Sequence, residues 1–130
     1  MDQKFPSSEK LKSKTLIDSL FTEGKTIKRF PLKLFYLPIP NPEIDTCKTG
    51  VSVPKRNFKK ATDRNYLKRL MREGFRKNKY LVTNNLSKKY ALMFVYIGRE
   101  KADLTQITAS MVLLMKKLIE IASAHEKENI

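Results

Sequence analysis

The sequence has few of the residues that build disulfides, zinc sites and histidine-dependent active sites. It contains one cysteine, Cys47, one histidine, His125, and no tryptophan. A single cysteine cannot form an internal disulfide, and a zinc site needs several cysteine or histidine ligands. We therefore identify no metal-binding and no catalytic residue from the sequence.

Long apolar segments are also missing. No apolar run approaches the ~20 residues of a membrane-spanning helix, and the N-terminal segment lacks the apolar core of a signal peptide. We therefore expect a cytoplasmic protein with no membrane partner. With 130 residues, 41% of them hydrophobic, the chain predicts a single domain over 1–130. We expect roughly ten N-terminal and six C-terminal residues to be frayed.

Positive charge is concentrated in one segment. Residues 55–79 contain eleven lysines or arginines and two acids, Asp63 and Glu73, which is +9 of the chain's net +14. On a helix starting near Ala61, the apolar residues share one side. They are Leu67, Leu70, Met71, Gly74 and Phe75. The opposite arc carries Arg64, Lys68, Arg72, Arg76 and Lys79, with Asn65 and Arg69 beside it.

This basic arc has three interpretations. A solvated surface helix usually interleaves acids with its cations, and this arc is nearly free of acids. A helix lying on a membrane would need its apolar side for lipid, whereas here that side is required for the core. A nucleic-acid backbone is therefore the partner that the pattern favours.

The remaining segments predict an α+β fold. Ser13 caps a short helix closed by Gly24, residues 31–38 and 50–54 are strands separated by a loop over 38–48, and 90–97 is a buried strand. Asp103 and Gln106 form a capping box that opens a long helix. The order helix, strands, helix, strand, helix indicates a small mixed β-sheet with helices packed on it, as in ribosomal-protein-like α/β sandwiches.

The context of the basic helix favours RNA over DNA. The helix lies between two strands and has neither a helix-turn-helix nor a zipper context. RNA-binding proteins often combine a basic element with exposed aromatic rings on which unpaired bases stack. Phe21 and Phe35 are candidates for such rings, and ordinary core packing is the alternative for both.

Two segments resemble the protein subunit of bacterial ribonuclease P. They are Gly50-Val-Ser-Val-Pro-Lys-Arg56 and Asp63-Arg-Asn-Tyr-Leu-Lys-Arg-Leu-Met-Arg-Glu-Gly-Phe75. The family has a strand ending in Ser-Val-x-Lys-Lys and a helix with Arg-Asn-Arg-x-Lys-Arg-x-x-Arg-Glu. The segment Leu16-Ile-Asp-Ser-Leu-Phe-Thr-Glu-Gly24 also looks like the family's first helix, so the resemblance spans nearly the whole chain.

The resemblance implies that this protein is one subunit of a ribonucleoprotein endoribonuclease. A large catalytic RNA would remove the 5′ leader of precursor tRNA with Mg²⁺ held by the RNA, and no small molecule would be a substrate. Residues implied to bind the catalytic RNA are Arg64, Asn65, Lys68, Arg69 and Arg72. Residues implied to face the leader, in a cleft between the first helix and the sheet, are Ile17, Phe21, Phe35, Lys55 and Arg56.

Two residues depart from the family pattern. Tyr66 replaces the third residue of Arg-Asn-Arg, so a phosphate or base contact is lost, is replaced by stacking, or gives way to core packing. Ile17 stands where the family often has phenylalanine.

Two rival functions remain at this point: a ribosomal-protein-like RNA binder with no catalytic partner, and a self-sufficient nuclease, which would need a converging set of acids, histidines or metal ligands.

Overall fold

Helices and strands follow the predicted order of helix, strands, helix, strand and helix, with one further short helix before the last strand. The computed structural model describes residues 10–39, 47–86 and 88–128, with the side chains of 125–128 excepted. The elements within these residues are α1 (Lys14–Glu23), β1 (Lys25–Arg29), β2 (Leu32–Pro38), β3 (Lys48–Ser52), α2 (Ala61–Asn78), α3 (Tyr80–Asn85), β4 (Tyr90–Tyr96) and α4 (Leu104–Glu128).

The four strands form one sheet in the order β1-β2-β4-β3. β1 pairs with β2, and β2 with β4, in antiparallel register, whereas β3 runs parallel to β4. A parallel pair needs a crossover connection, and α2 and α3 supply it between β3 and β4. The sheet is therefore mixed, and the α2–α3 pair is connected to it at both ends.

Alternation along β2 and β4 separates two apolar clusters. Leu32, Leu34 and Tyr36 are buried on the face that packs against α2 and α4. Lys33, Phe35 and Leu37 lie on the other face, where Phe35 and Leu37 pack with α1 and with Met93 of β4. The period-two pattern that predicted β2 thus also predicts which side chains face α1.

The helix ends follow the predicted capping signals. Ser13 Oγ accepts a hydrogen bond from the backbone N–H of Leu16, 3.3 Å away, and the N–H of Gly24 bonds to the Leu20 carbonyl. The Gln106 N–H donates to Asp103 Oδ1 at 2.8 Å and starts α4. These side chains satisfy backbone donors that helix geometry leaves unpaired.

Two elements were not predicted from the sequence. β1 has one apolar residue, Ile27, in a strand that is otherwise exposed, and its pairing with β2 defines it. α3 has six residues, too few to show a helical repeat. The predicted strand over 50–54 is shifted, because β3 ends at Ser52.

The predicted chain ends and the predicted loop fall mostly outside the described residues. The predicted fraying of the first ten and last six residues and the predicted loop over 38–48 therefore stay predictions. Pro38 and Lys48, at the ends of that loop, are the last residue of β2 and the first of β3. Among the described residues, no helix has both the length and the apolar character needed to span a bilayer.

Candidate nucleic-acid interface

Close packing against α4 fixes the orientation of α2. Leu67, Met71, Gly74 and Phe75 are buried along one side of α2. A Cβ on Gly74 would lie 3.0 Å from Thr108 Oγ1 on α4, so the absence of a side chain lets the two helices approach. The opposite side of α2 is consequently turned outward.

Four of the five residues predicted to bind RNA lie on or beside this outward side, whereas Arg64 lies two turns before buried Met71 on the same face of α2. We call Arg64, Asn65, Lys68, Arg69 and Arg72 the docking face. Asn65, Arg69 and Arg72 are exposed, whereas Arg64 and Lys68 are half-buried. Residues three and four apart on a helix are neighbours, so successive members of this set lie next to one another along α2.

Arg64 is bound within the protein. Its Nη1 donates hydrogen bonds to the carbonyl oxygens of Phe58 and Lys59, both at 2.8 Å. Phe58 is buried and lies edge-on to Tyr96, with 5.6 Å between ring centroids. Arg64 therefore fastens the β3–α2 loop to the start of α2, a contact that its position in the motif did not reveal.

Toward the C-terminal end of α2, an acid offsets the positive charge. Glu73 forms ion pairs with Arg76, through a short hydrogen bond, and with Lys77 at 3.4 Å. The Arg76 hydrogen bond is the main cause that holds the pKa of Glu73 below its usual range. Arg76, which the helical repeat placed on the basic arc, is thus paired with an acid, and the docking face ends near Arg72.

Tyr66 lies between two cations. Its ring is 41% exposed, so it does not extend the core, which was one of the three alternatives. The Arg69 guanidinium carbon and Lys101 Nζ lie 5.8 and 5.9 Å from the ring centroid. Lys101 also pairs with Asp63 at 2.7 Å. Lys101 is distant in sequence, and no pattern connected it with α2.

The second candidate surface lies where α1 crosses the sheet. Phe21 on α1 and Phe35 on β2 are edge-to-face, with 4.8 Å between their centroids. Lys33 Nζ lies 5.1 Å from the Phe35 centroid. Phe21 is 43% exposed and Phe35 is half-buried, so the pair combines packing with an accessible aromatic edge beside a cation.

Next to α1 lies a groove of about 480 Å³, whose lining does not include Phe21 or Phe35. Ile17 contributes an apolar wall, and Arg72 of the docking face reaches the same groove. We call it the α1 groove. Its lining also includes Lys10, Lys12, Gly50 and Met93. The groove therefore combines cations with apolar floor residues, an arrangement suited to an extended polyanion.

Lys55 and Arg56 lie apart from the other predicted leader residues. Both are exposed on the loop beyond the end of β3. Asn57 Nδ2 donates to the Gly98 carbonyl at 3.3 Å, which fastens this loop to the loop after β4. Ile17, Phe21 and Phe35 instead lie over the face of the sheet. The predicted leader set thus forms two groups.

Metal ligands do not converge in the part of the chain that the structure describes: no group of three histidines, cysteines, aspartates or glutamates is placed to hold an ion. The groups that do converge are guanidinium, ammonium, amide and aromatic groups. They bind phosphates, sugar hydroxyls and bases. The fold and these surfaces define the class: an α+β protein with adjoining basic and aromatic surfaces for a nucleic acid.

Comparison with known proteins gives the family. A family model described as Ribonuclease P matches residues 5–119. The ribonuclease P protein component of Porphyromonas gingivalis is 34% identical over 118 residues, 88% of this chain and 84% of that protein. That of Thermotoga maritima is 29% identical over 124 residues, 91% of this chain and 98% of that protein. This chain therefore belongs to the ribonuclease P family, whose members named here are protein components of a ribonuclease.

Solved structures show the same fold. The Staphylococcus aureus RNase P protein aligns with a TM-score of 0.68 at 21% identity, covering 85% of this chain and 94% of that one. The Thermotoga maritima RNase P protein aligns with a TM-score of 0.68 at 24% identity, covering 84% and 96%. The predicted α+β class and the predicted family are both confirmed.

Proposed function

We propose that this protein binds the catalytic RNA of ribonuclease P through the docking face and the 5′ leader of precursor tRNA beside α1. Cleavage of the leader would be carried out by the RNA, with Mg²⁺ held by the RNA, in the cytoplasm. The observation that carries this proposal is the position of Arg72, which belongs to the docking face and also lines the α1 groove. Two RNA segments could therefore be held side by side.

Docking on the large RNA is supported by the chemistry of α2. Lys68 and Arg72 are one helical turn apart, a spacing of roughly 6 Å that suits adjacent phosphates. Guanidinium groups bind phosphate with two parallel hydrogen bonds, and Asn65 can both donate to and accept from a sugar or base edge. Arg64 would add to this face with the donors that remain beyond its two loop contacts.

Leader binding is supported by the combination of groups beside α1. Leaders differ in sequence, so a cleft that accepts them needs contacts that every nucleotide offers. Stacking on Phe21 and Phe35, apolar contact with Ile17, and phosphate contacts with nearby cations meet that requirement. Lys55 and Arg56 lie beyond the end of β3 and would contact the RNA backbone at the edge of this surface.

Reconstitution tests the division of labour. Precursor tRNA is incubated at low Mg²⁺ with the cognate ribonuclease P RNA, with the protein, or with both, and the release of the leader is measured. We expect rapid cleavage only when both are present. Cleavage by the protein alone would establish a self-sufficient nuclease. If the protein binds RNA without changing cleavage, the ribosomal-type RNA binder replaces our proposal.

A further inference from the structure

A second aromatic and basic groove lies at the end of the sheet, away from α1. The β1–β2 turn and the loop between β4 and α4 enclose about 490 Å³ there. Phe30 lines this groove and is 68% exposed, the largest exposure of a bulky apolar side chain among the described residues. Arg99 and Lys101 contribute two cations and Glu100 one acid. We call this the Phe30 groove.

The turn that carries Phe30 is fastened to its neighbours. Its carbonyl accepts a hydrogen bond from Ser110 Oγ on α4 at 3.2 Å, and the Ile97 N–H donates to the Pro31 carbonyl at 2.8 Å. A Cβ on Gly98 would lie 3.5 Å from the end of the Phe30 ring, so the ring lies over a bare stretch of backbone. An exposed ring on an anchored backbone loses little further freedom when a ligand stacks on it.

Lys101 joins the Phe30 groove to the docking face. It lines the groove, and its Nζ lies 5.9 Å from the Tyr66 centroid. Its ion pair with Asp63, at 2.7 Å, holds the ammonium group beside the first turn of α2. Tyr66 is in turn covered by Arg69 of the docking face. Exposed rings and cations thus continue from α2 to the β1–β2 turn.

We propose that the Phe30 groove binds unpaired nucleotides of the same large RNA that docks on α2, with bases on Phe30 and Tyr66 and phosphates on Arg99 and Lys101. The inference rests on the proposed function, because it extends the docking face by one more surface. Accessible rings interleaved with cations are the arrangement that single-stranded RNA recognises. A second copy of this chain fits less well, because each copy carries a net charge of +14 and would be repelled.

The test measures binding of the cognate ribonuclease P RNA, without precursor tRNA, as a function of salt. Phe30→Ala and Tyr66→Ala should each weaken binding by roughly five- to 150-fold, the range for losing one stacked base. The salt slope should not change, because no phosphate contact is removed. RNA binding by Phe30→Leu should be weaker as well, because leucine is apolar but has no flat ring on which a base can stack. The matched control is Tyr80→Ala, which removes a ring of intermediate exposure, 54%, from α3.

The outcomes separate this inference from the proposed function. If Phe30→Ala or Phe30→Leu binds the RNA as tightly as Tyr80→Ala does, the inference is overturned. The proposed role of the docking face is unaffected by that result. A wild-type dimer that Phe30→Ala converts to monomer would also overturn it, because the groove would then hold a second copy. If the wild-type protein fails to bind the RNA at all, both proposals fall. Thermal unfolding of each variant verifies that the fold is retained.

Discussion

The ring of Phe21 meets the ring of Phe35 edge-on, with 4.8 Å between centroids and 68° between planes. One ring comes from α1 and the other from β2, so the contact fixes α1 across the sheet. Because Phe21 is also 43% exposed, the same ring can pack inward and stack outward. The structure shows the packing of Phe21 on Phe35, and base stacking on the accessible part of the ring stays a prediction.

Phe21→Ala should weaken leader recognition selectively. With the reconstituted enzyme, the affinity for precursor tRNA should fall by roughly five- to 150-fold, which corresponds to one lost stacked base. Affinity for tRNA without a leader should stay unchanged, because that ligand does not reach the ring. The measurement is equilibrium binding of both tRNAs, with Tyr80→Ala as the control. Equal losses for the two tRNAs would assign Phe21 to packing alone.

Arg64 should contribute to the stability of the fold, whereas Arg69 should not. Arg64→Ala removes two hydrogen bonds from a charged donor to loop carbonyls, so the free energy of unfolding should fall by about 1–3 kcal/mol. Arg69→Ala should change it little, because Arg69 is exposed on α2. Urea unfolding of both variants measures the difference. An Arg64→Ala protein as stable as the wild type would show that the loop contacts contribute nothing.

The docking face should set the salt dependence of RNA binding. Replacing Arg69 and Arg72 with alanine should flatten the plot of log K against log salt by about 0.7–0.9 for each phosphate contact removed. The control is a double substitution of Lys116 and Lys117, exposed on α4, which removes the same charge elsewhere. Equal flattening by the two double variants would mean that overall charge, and not this face, governs binding.

Much of the fold could be predicted because its signals are local. The alternation in β2, the apolar stripe of α2 and the caps at Ser13 and Asp103 each depend on residues within one segment. β1 could not be predicted in the same way, since a single apolar residue, Ile27, leaves no alternation to detect. Its strand conformation depends on pairing with β2, which is a tertiary property.

The candidate site shows the same difference between features set by local sequence and features set by tertiary structure. The spacing along α2 predicted which residues share the docking face, but it could not distinguish Arg64, bound to the loop, from Arg69, exposed beside Tyr66. That distinction depends on where the β3–α2 loop folds back. Lys101 and Phe30 are far from α2 in sequence, and only the positions of the β4–α4 loop and the β1–β2 turn relate them to it.

Glu73 should make stability depend on pH in the acid range. Hydrogen bonding to Arg76 holds the pKa of Glu73 below its ordinary value of 4.5. A carboxyl whose folded pKa is depressed contributes stability above its unfolded pKa and loses it as pH falls through the folded pKa. Some of the free energy of unfolding should therefore disappear below about pH 4.5, and Glu73→Gln should reduce that decline.

Urea unfolding between pH 7 and the acid range measures this effect, and Glu120→Gln on α4 corrects for the change in net charge. The expected difference is small, because the Glu73–Arg76 and Glu73–Lys77 pairs lie at the surface, where water screens them. Salt should diminish it further. An acid-range decline in Glu73→Gln as steep as that in the wild type would show that these pairs do not stabilise the folded state.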